Sequence, residues 1–528
     1  MVNCQEKQNI TNKFALNVEI NVTIACKAKQ SKALSDDIYQ SINNGGNRMA
    51  KNITPKEQDF SQWYLDVIRV AELADYAPVR GCMVVRPTGY SVWELIQKHF
   101  DEAFKETGHV NASFPLLIPK SFLEKEAEHV EGFAPECAVV THAGGEELEE
   151  PLIIRPTSET VIGYMYSKWV QSWRDLPILI NQWCNVMRWE KRPRLFLRTS
   201  EFLWQEGHTA HATKEEAVEE TLLMLEVYRK IMVDELALPV LPGEKTEGER
   251  FPGADNTYTC ETMMSDKKAL QAGTSHYLGQ NFAKAFDIKF QNKNGEMDFA
   301  HTTSWGVSMR LIGALIMTHS DNDGLVLPPR VAPTKAVIIP ISTDSAKFNE
   351  EIVPKAKEIQ AILNKTLCGR FVQVDTQQHL RPGDRFFFHL QKGVPLRLEL
   401  GEKEFAAGKV KVVRRDTGEK MEIGWEDLEK LIPELLVEIQ KNLFDRALKF
   451  RKENTYQAAN MAQFREVLES KGGFVEVFFD GSKEDEKAIK EATGATPRCY
   501  PLEYSEERGK CFYTGKEGAR KAIFAKAY

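Results

Sequence analysis

Two strand-like runs joined by a short basic turn place the strongest constraint on what this chain can fold into. The runs cover residues 178–190 and 195–212, and the turn between them is Lys191-Arg192-Pro193-Arg194. Two such runs separated by a turn predict a β-hairpin. Because alternate side chains of a strand point to the same face, the hairpin presents a row of charged and aromatic residues on one sheet surface.

The residues of that row have the chemistry of a nucleotide site. On the first run, Arg188 and Glu190 are two apart and share a face. On the second run, Arg198, Phe202 and Glu206 are four apart and also share a face. Guanidinium groups bind phosphate oxygens in a bidentate manner, and an aromatic face stacks on a purine. Spacing alone leaves two interpretations open: a nucleotide site, or a surface ladder of ion pairs with one half-buried phenylalanine.

Two further segments carry residues that suit a ligand. Arg310 follows Gly306, which permits close approach, and precedes an apolar helix. Thr157 and Glu159 stand at the start of another predicted helix, where they would face a ligand's ammonium group. The structural alternatives remain open. Arg310 then has a capping or surface role, Thr157 or Ser158 is the N-cap, and Glu159 complements the helix dipole.

The histidines do not predict a metal site. His208 and His211 are three apart on a strand, so their side chains point to opposite faces and cannot bind one zinc ion together. His276 lies in Gly273-Thr274-Ser275-His276, which is predicted as a loop or turn. Its sequence context alone favours a structural role.

Composition restricts the kind of protein in which these residues occur. The length of 528 residues predicts roughly three or four domains. The 76 acidic residues outnumber the 69 lysines and arginines, so contact with a nucleic acid requires a local basic patch. Nine scattered cysteines without a C-x-x-C pair argue against disulfides and a four-cysteine zinc site. Without a membrane-length apolar run or a signal peptide, we expect a cytoplasmic protein that makes no membrane contact.

Changes in residue composition and hydrophobic pattern along the chain divide it into segments. Residues 1–50 are polar and end in an Asn/Gly-rich joint, and a proline cluster at 324–333 marks a boundary. From residue 336 onward strands alternate with helices, which predicts an α/β domain with a largely parallel sheet and a hairpin turn at Asp416-Thr417-Gly418. Residues 455–528 predict a small α+β tail domain. Apolar spacing predicts an amphipathic helix over 89–107, and a capping box of Thr213 and Glu216 predicts the start of a second helix over 213–238.

In chain order these segments resemble the three signature motifs of class II aminoacyl-tRNA synthetases. The helix and strand that end at Pro115 resemble motif 1, the dimerisation element; the hairpin resembles motif 2; and the segment from Gly306 to Arg310 resembles motif 3. More narrowly, residues from about 55 to 528 are similar to prolyl-tRNA synthetases of the archaeal/eukaryotic type. The stretches that carry this similarity are Phe133-Ala134-Pro135-Glu136, Arg155-Pro156-Thr157-Ser158-Glu159-Thr160, Phe196-Leu197-Arg198-Thr199, Phe202-Leu203-Trp204-Gln205-Glu206-Gly207-His208, Gly273-Thr274-Ser275-His276 and Asp323-Gly324-Leu325-Val326-Leu327-Pro328-Pro329-Arg330.

The resemblance implies a multidomain fold of the α/β and α+β classes. A poorly defined N-terminal appendage at 1–50 precedes a class II catalytic domain with an antiparallel sheet at 51–330. An α/β anticodon-binding domain follows at 331–440 and a small α+β C-terminal domain at 441–528. A homodimer is implied by the motif 1 resemblance.

The resemblance also implies a reaction. Family members activate L-proline with ATP to prolyl-adenylate and pyrophosphate, and then transfer the prolyl group to the 3′ end of tRNA(Pro). By resemblance, Arg188 and Arg310 are the catalytic residues, Phe202 stacks on adenine, and Glu190 or Glu201 bridges Mg²⁺. The implied ATP-binding residues are Arg188, Glu190, Arg198, Thr199, Glu201, Phe202, Gln271, Thr274 and Arg310. The implied proline-binding residues are Phe133, Glu136, Thr157, Glu159, Arg188, Trp204, His208 and His276, with Gly273 nearby.

RNA recognition is implied farther along the chain. In Gly393-Val394-Pro395-Leu396-Arg397-Leu398-Glu399, the side chains of Arg397 and Glu399 share a strand face suited to base edges, which implies an anticodon-binding pair. An ion pair with a structural role is the alternative, and it stays open. The hairpin at 409–420 adds a modest basic patch for the RNA backbone.

Two departures from the family pattern carry expectations of their own. The C-terminal domain of this type commonly holds zinc on four cysteines, but only Cys511 is present here, so we expect no structural zinc. The other three aligned positions are Asp480, Asp485 and Tyr513. Only 111 residues lie between Arg198 of motif 2 and Arg310 of motif 3, too few for the large editing insertion of bacterial-type relatives.

Two other functions share many of these sequence features. One is an enzyme that activates an amino acid for a carrier protein, against which the anticodon-like domain argues. The other is a catalytically dead, synthetase-like regulatory or RNA-binding subunit. The presence of Arg188, Arg198 and Arg310 argues against it.

Overall fold

A single twelve-stranded sheet dominates the computed structural model, which describes residues 53–123 and 137–528. Neighbouring strands are antiparallel except for the outermost pair at each end of the sheet. In order across the sheet the strands are Thr455–Gln457, Phe474–Phe479, Ala519–Ala525, Thr496–Pro501, Leu241–Glu244, Asn256–Met263, Ala269–Gly279, His301–Ser308, Glu201–His211, Ile178–Met187 and Val110–Asn111, with Arg508–Gly509 beside Ala519–Ala525.

Helices cover one face of the central strands. The side chains of Trp305 and Val307 point to this face and are buried in the largest apolar core of the molecule. Their neighbours Ser304 and Gly306 therefore face the opposite side. The covering helices are Phe60–Val70, Pro87–Glu106, Lys214–Asp234 and Arg310–His319.

The two helices with the clearest sequence signals form as predicted. Helix Pro87–Glu106 buries its apolar stripe, which includes Phe100 and Phe104. Helix Lys214–Asp234 begins with a capping box, in which the Glu216 N–H donates to Thr213 Oγ1 at 3.2 Å and the Glu216 carboxylate accepts from the Thr213 N–H.

Smaller elements complete this region. Helix Glu159–Trp169 packs beside Asn281–Phe286, and three short sheets lie at the periphery. Their strands are Ala74–Tyr76 with Met83–Val85, Lys289–Gln291 with Met297–Phe299, and Leu117–Pro119, Glu146–Ile154 and Val139–Ala143.

The segment after the proline cluster is the predicted α/β unit. Its five strands, in sheet order, are Val372–Val374, Ala336–Ile341, Leu396–Gly401, Lys409–Arg414 and Lys420–Gly424. The first three are parallel and the last two form the predicted hairpin, with Gly418 at φ +73° in its turn. Its main helices are Val353–Thr366, Pro382–Gln391 and Leu428–Glu453, and helices Met461–Ser470 and Lys483–Thr493 belong to the α+β tail.

The hairpin over residues 178–212 is shorter than the sequence predicts. Strand Ile178–Met187 ends before Arg188 and Glu190, and strand Glu201–His211 begins after Arg198, so these three residues lie in the connecting loop and not on strand faces. The strands stop short because the apolar residues Leu195, Phe196 and Leu197 of the connecting loop turn into the core, where each is at most 5% exposed. Phe196 adopts φ +60° in this loop.

The central and C-terminal portions of the large sheet are joined by a buried ion cluster. Glu261 is fully buried and accepts from Lys245 Nζ at 2.8 Å and from Arg498 Nε at 3.0 Å. The opposite charges attract and hydrogen-bond one another, which offsets the hydration that each group loses on burial. The tail is therefore an extension of the central sheet and not a separately tethered module.

Among the described residues, no helix combines the length and the apolar composition that a membrane crossing requires.

Candidate active site

A cavity of about 340 Å³ lies on the sheet face opposite the covering helices. It is lined by residues from the central strands, by the start of helix Glu159–Trp169, and by the segment 249–252. The sequence-predicted residues that line it are Thr157, Glu159, Arg188, Phe202, Trp204, His208, Gln271, Thr274, His276 and Arg310. The fold thus brings together in one cavity ten side chains that are up to 153 positions apart in the chain.

One part of the cavity is acidic. Thr157 Oγ1 donates to the Glu159 carboxylate, and Ser158 donates from its backbone N–H and its hydroxyl to Glu206. Ser158 occupies the N-cap position of helix Glu159–Trp169, as the structural alternative predicted, but its side chain makes no capping hydrogen bond. The carboxylate of Glu159 faces the cavity next to His208.

Glu206 and His208 form a buried pair in this acidic wall of the cavity. His208 Nε2 lies 3.1 Å from Glu206 Oε2. Burial acts to lower the pKa of His208, but its hydrogen bond to Glu206 and the nearby carboxylates outweigh burial and raise it. Burial acts to raise the pKa of Glu206, and hydrogen bonds from His208, Ser158 and Gln182 lower it instead. Both shifts favour the charged forms of His208 and Glu206.

Within the described part of the chain, one group of carboxylate and histidine side chains is close enough together to hold a metal ion. Ligand atoms of Glu159, Glu206 and His208 all lie within 4.8 Å of one another. Glu206 is already bonded to His208 and Ser158, and Glu159 to Thr157. His211 points away and bonds to Thr209, as the strand spacing predicts.

Arg188 crosses the cavity in a fixed orientation. Its Nε donates to the Pro156 carbonyl at 2.9 Å, and its Cζ lies 5.5 Å and 5.2 Å from the ring centroids of Phe202 and Trp204. The two rings pack edge to face at 6.0 Å. Burial lowers the pKa of Arg188, opposed by the charge of nearby carboxylates.

Arg310 lines the same cavity and is held in a similar way. Its Nε donates to the Leu197 carbonyl at 3.0 Å. Burial lowers its pKa to about 10, and the neighbouring guanidinium groups of Arg198 and Arg188 add to this effect. Like charges held together in this way attract a polyanion strongly, because the polyanion relieves their mutual repulsion.

His276 lies in the middle of strand Ala269–Gly279, so its prediction as a loop or turn residue is wrong. His276 belongs to a strand because its backbone is paired on both sides. It lies opposite Thr257 on one neighbouring strand and opposite Ser304 on the other. Thr257 Oγ1 lies 3.0 Å from its Nδ1, and the Phe251 ring lies 4.6 Å away. Burial lowers the pKa of His276 to about 3, so its ring is neutral.

Several predicted site residues lie outside the cavity lining. Arg198 Nε is 3.7 Å from Glu190 Oε2, and the Thr199 hydroxyl donates to the backbone carbonyl of Glu201 at 2.8 Å. These four residues belong to the loop and strand start that follow Arg188. The predicted proline-binding residues Phe133 and Glu136 are outside the residues that the structure describes.

Some residues that line the cavity are not predicted by the sequence. They come from the segment 249–252 and from the pocket-facing side of three strands. No spacing or composition signal singles them out, because they become neighbours only when the strands pair. They include Glu249, Arg250, Phe251, Pro252, Thr257, Ala272, Ser304 and Ser308.

The predicted RNA-reading pair lies in the separate α/β unit. Arg397 donates to Glu399 from Nε at 3.0 Å and from Nη2 at 2.9 Å, and its Cζ lies 4.4 Å from the Phe386 ring centroid. Lys411 on the next strand lies 3.3 Å from the same carboxylate. The ion-pair alternative therefore describes the geometry of the free protein.

Comparisons with known proteins agree along the chain. Residues 140–319 match the model of the class II tRNA synthetase core domain (G, H, P, S and T), residues 335–435 an anticodon-binding domain, and residues 461–528 the C-terminal domain of prolyl-tRNA synthetase. The chain is 56% identical over 488 residues to the proline–tRNA ligase of Chlorobium limicola, with 91% of this chain and 100% of the relative covered. The proline–tRNA ligase of Roseiflexus is 54% identical over 90% of this chain and 99% of its own.

The chain belongs to the prolyl-tRNA synthetase family. A solved prolyl-tRNA synthetase, that of Cryptosporidium parvum complexed with halofuginone and AMPPNP, superposes with a TM-score of 0.86 at 40% identity and covers 90% of this chain and 99% of its own. The predicted fold class is thereby confirmed: a class II synthetase core, an anticodon-binding domain and a C-terminal domain. The sequence relatives named here are bacterial prolyl-tRNA synthetases, whereas the structural relative is eukaryotic.

Proposed function

We propose that this chain is a proline–tRNA ligase that makes prolyl-adenylate from L-proline and ATP in the cavity and then transfers the prolyl group to tRNA(Pro). The observation that carries the proposal is the charge arrangement in one cavity. Glu159 offers a carboxylate to an ammonium group, and Arg188 and Arg310 offer guanidinium groups to phosphates. An amino acid and a triphosphate nucleotide need this pair of features side by side.

Proline is bound at the acidic wall. Its secondary ammonium group donates to Glu159 and Thr157, whose own hydrogen bond fixes the carboxylate. Trp204 and His208 supply apolar and aromatic surface for the ring, with His276 beside them and Phe133 and Glu136 as further expected contacts. A neutral His276 suits this site, because a second cation there would repel the ammonium group.

ATP occupies the basic part of the cavity. Phe202 supplies a stacking surface for adenine, Gln271 and Thr274 offer polar contacts, and Arg310 binds the phosphates beyond the α-phosphate. Arg198 and Thr199, in the loop that connects the hairpin strands, are expected to contribute when ATP is bound.

ATP enters this reaction with Mg²⁺. Carboxylate oxygens are the ligands that Mg²⁺ prefers, and Glu190 or Glu201 would supply them beside the cavity. Glu201 begins the strand that carries Phe202 and accepts from Asn185 at 2.8 Å. The ion neutralises phosphate charge when it is bound.

The chemistry needs no nucleophile from the protein. A carboxylate oxygen of proline forms a bond to the α-phosphorus while the bond to the pyrophosphate oxygen breaks. Arg188 stabilises the negative charge that develops at phosphorus. The terminal ribose hydroxyl of the tRNA then attacks the prolyl carbonyl and AMP leaves. Positioning and electrostatics provide the acceleration.

The α/β unit binds the anticodon stem-loop through Arg397 and Glu399. In the free protein these side chains satisfy each other, and Arg397 stacks on Phe386. Each retains further hydrogen-bonding capacity for a base edge, since a guanidinium group has five donors and a carboxylate about four acceptor positions. The prolyl-tRNA that the reaction forms is consumed by translation in the cytoplasm.

The active unit is a homodimer. Val110, on the edge strand of the large sheet, is 61% exposed, and Leu223 on helix Lys214–Asp234 is 41% exposed. An unpaired edge with exposed apolar side chains favours association. Sedimentation equilibrium should give twice the 60.1 kDa mass, and a monomer at micromolar concentration would contradict this.

The architecture supports the archaeal/eukaryotic type with the domain boundaries predicted from the sequence. The chain carries the C-terminal domain at 461–528, and its 111-residue span between Arg198 and Arg310 leaves no room for a large editing insertion. No structural zinc is expected, because Cys511 is the one cysteine at the four aligned positions. Stoichiometric zinc in the purified protein would contradict this.

The decisive experiment is amino-acid-dependent ATP–pyrophosphate exchange without tRNA, across all twenty amino acids. Exchange driven chiefly by proline is the expected result. Exchange with another amino acid would retain the activation chemistry and overturn the pocket assignment. Folded protein without any exchange would favour a regulatory subunit.

A further inference from the structure

Arg250 is a lining residue of the cavity that the class II signature motifs do not include. It lies in the segment 249–252, whose four residues all line the cavity. Its Nε is buried and has no hydrogen-bond partner, and no ion pair of its side chain occurs within the part of the chain that the structure describes. Buried donors are rarely left unbonded, because an unpaired donor has lost its hydration without gaining a partner.

The segment that carries Arg250 is held in place from two sides. On the cavity side, the Phe251 ring lies 4.6 Å from His276, and the Phe251 N–H donates to Thr257 Oγ1 at 3.0 Å. On the other side, Lys483 of the C-terminal domain lies 3.3 Å from Glu247. The guanidinium group is therefore presented from a fixed backbone.

Gly248 makes this packing possible. A Cβ atom at Gly248 would lie 2.2 Å from Glu486 Oε2, and Glu486 is 6% exposed. The C-terminal helix Lys483–Thr493 thus occupies the space that a side chain at 248 would need. The C-terminal domain therefore packs directly against the segment that carries Arg250.

We infer that Arg250 is a phosphate-binding residue of this cavity. The inference rests on the proposed function, because that reaction brings phosphate groups into the cavity. An arginine with an unbonded buried donor suits a phosphate, which accepts two parallel hydrogen bonds from one guanidinium group. The phosphate belongs either to ATP or to the 3′-terminal phosphodiesters of tRNA.

Direct binding separates the two sources. AMPPNP and a tRNA(Pro) transcript are each titrated into the wild type, Arg250→Ala and Arg250→Lys. Loss of one charged hydrogen-bonding group is expected to weaken one of the two ligands about tenfold or more. Arg250→Lys should recover part of that loss, since it keeps the charge and loses the fork. Arg465→Ala, an exposed arginine of helix Met461–Ser470, is the matched control.

Each outcome decides the matter. Weaker AMPPNP binding assigns Arg250 to ATP, and weaker tRNA binding with unchanged AMPPNP affinity assigns it to the tRNA terminus. Unchanged affinity for both ligands overturns the inference. So does a rise confined to the KM for proline in the exchange assay, because Arg250 would then contact the amino acid. Wild-type protein without proline-dependent exchange defeats the proposed function, but the binding titrations still test Arg250.

A second variant tests the contact with the C-terminal domain without touching Arg250. Glu486→Ala removes the buried carboxylate that lies against Gly248, so it should loosen the segment and weaken the same ligand. Equal affinity in Glu486→Ala and wild type would overturn the positioning role of the helix.

Discussion

Two arginines of the cavity are oriented by main-chain carbonyls. Arg188 donates through Nε to Pro156 and Arg310 through Nε to Leu197. In the described part of the chain, neither has a further hydrogen bond or ion pair from its guanidinium group. Their remaining donors are thus oriented before a ligand arrives, so little reorganisation is required when charge develops at phosphorus.

Arg188→Ala should abolish adenylate formation and leave tRNA binding nearly intact. Removing a preoriented donor at the reacting group typically costs about 10²-fold to 10³-fold in rate. Pyrophosphate exchange measures the first effect and filter binding of tRNA(Pro) the second. Arg174→Ala, at an exposed position, is the control. Exchange retained at the wild-type rate would show that the α-phosphate assignment is wrong.

His319 should make stability depend on pH. Its Nε2 lies 3.2 Å from the Leu236 carbonyl, and burial lowers its pKa to about 3. A histidine whose pKa falls on folding contributes stability above its unfolded value of about 6.5, and this stability is lost as the pH decreases below that value.

His319→Gln should therefore flatten the acid side of the stability profile. The glutamine amide can donate to the same carbonyl and does not titrate. Denaturant unfolding at pH 7, 6 and 5 should give a slope smaller by up to about 1.4 kcal/mol per pH unit. An identical slope in wild type and variant would show that His319 takes up its proton in the folded state.

At the scale of elements, the sequence predicted those whose signals are local. Helix Lys214–Asp234 begins at the predicted Thr213 cap, and helix Pro87–Glu106 follows its apolar period. The loop between the hairpin strands was missed, because the burial of Leu195 depends on the distant helix Phe60–Val70, whose Tyr64 hydroxyl donates to the Leu195 carbonyl at 2.8 Å.

The residues of the candidate site also fall into those that a local sequence pattern predicts and those that it does not. Residues within recognisable motifs, such as Arg188 and Glu159, line the cavity as expected. Arg250 and Ser304 carry no signal of their own, since Ser304 reaches the cavity only through strand register with His208 and His276. Tertiary pairing, and not local pattern, placed them there.

Gly207 tests the packing between the central strands and their helical cover. A Cβ atom there would lie 2.1 Å from the Trp305 ring, which is 1% exposed. Gly207→Ala should lower the free energy of unfolding by about 1–3 kcal/mol or more through overpacking. Gly383→Ala is the matched control, because nothing lies within 4 Å of its added atom, and it should be neutral or stabilising by up to about 1 kcal/mol. Thermal unfolding of both variants tests the difference.

At the scale of the whole molecule, the Lys245–Glu261–Arg498 cluster connects the C-terminal domain to the catalytic sheet. Arg498→Met should destabilise the entire unit by about 3 kcal/mol or more, because Glu261 would lose one of its two buried cations. Glu261→Gln in the same chain should recover part of that loss.

The control for this prediction is an exposed pair between the same two regions. Lys483 and Glu247 are 58% and 67% exposed, so Lys483→Met should cost no more than about 1 kcal/mol. Calorimetry that records separate transitions for the two regions in the wild type would contradict the idea of one cooperative unit.

The order of strands in the large sheet has a consequence for synthesis on the ribosome. One edge of strand Leu241–Glu244 pairs with the nearby strand Asn256–Met263, but its other edge finds a partner only in Thr496–Pro501, roughly 250 residues later. At about 5–20 residues per second, that edge stays unpaired for about 10–50 s during translation. A nascent chain of this length therefore exposes a template for aggregation well before its sheet can close, and folding factors have that interval in which to shield it.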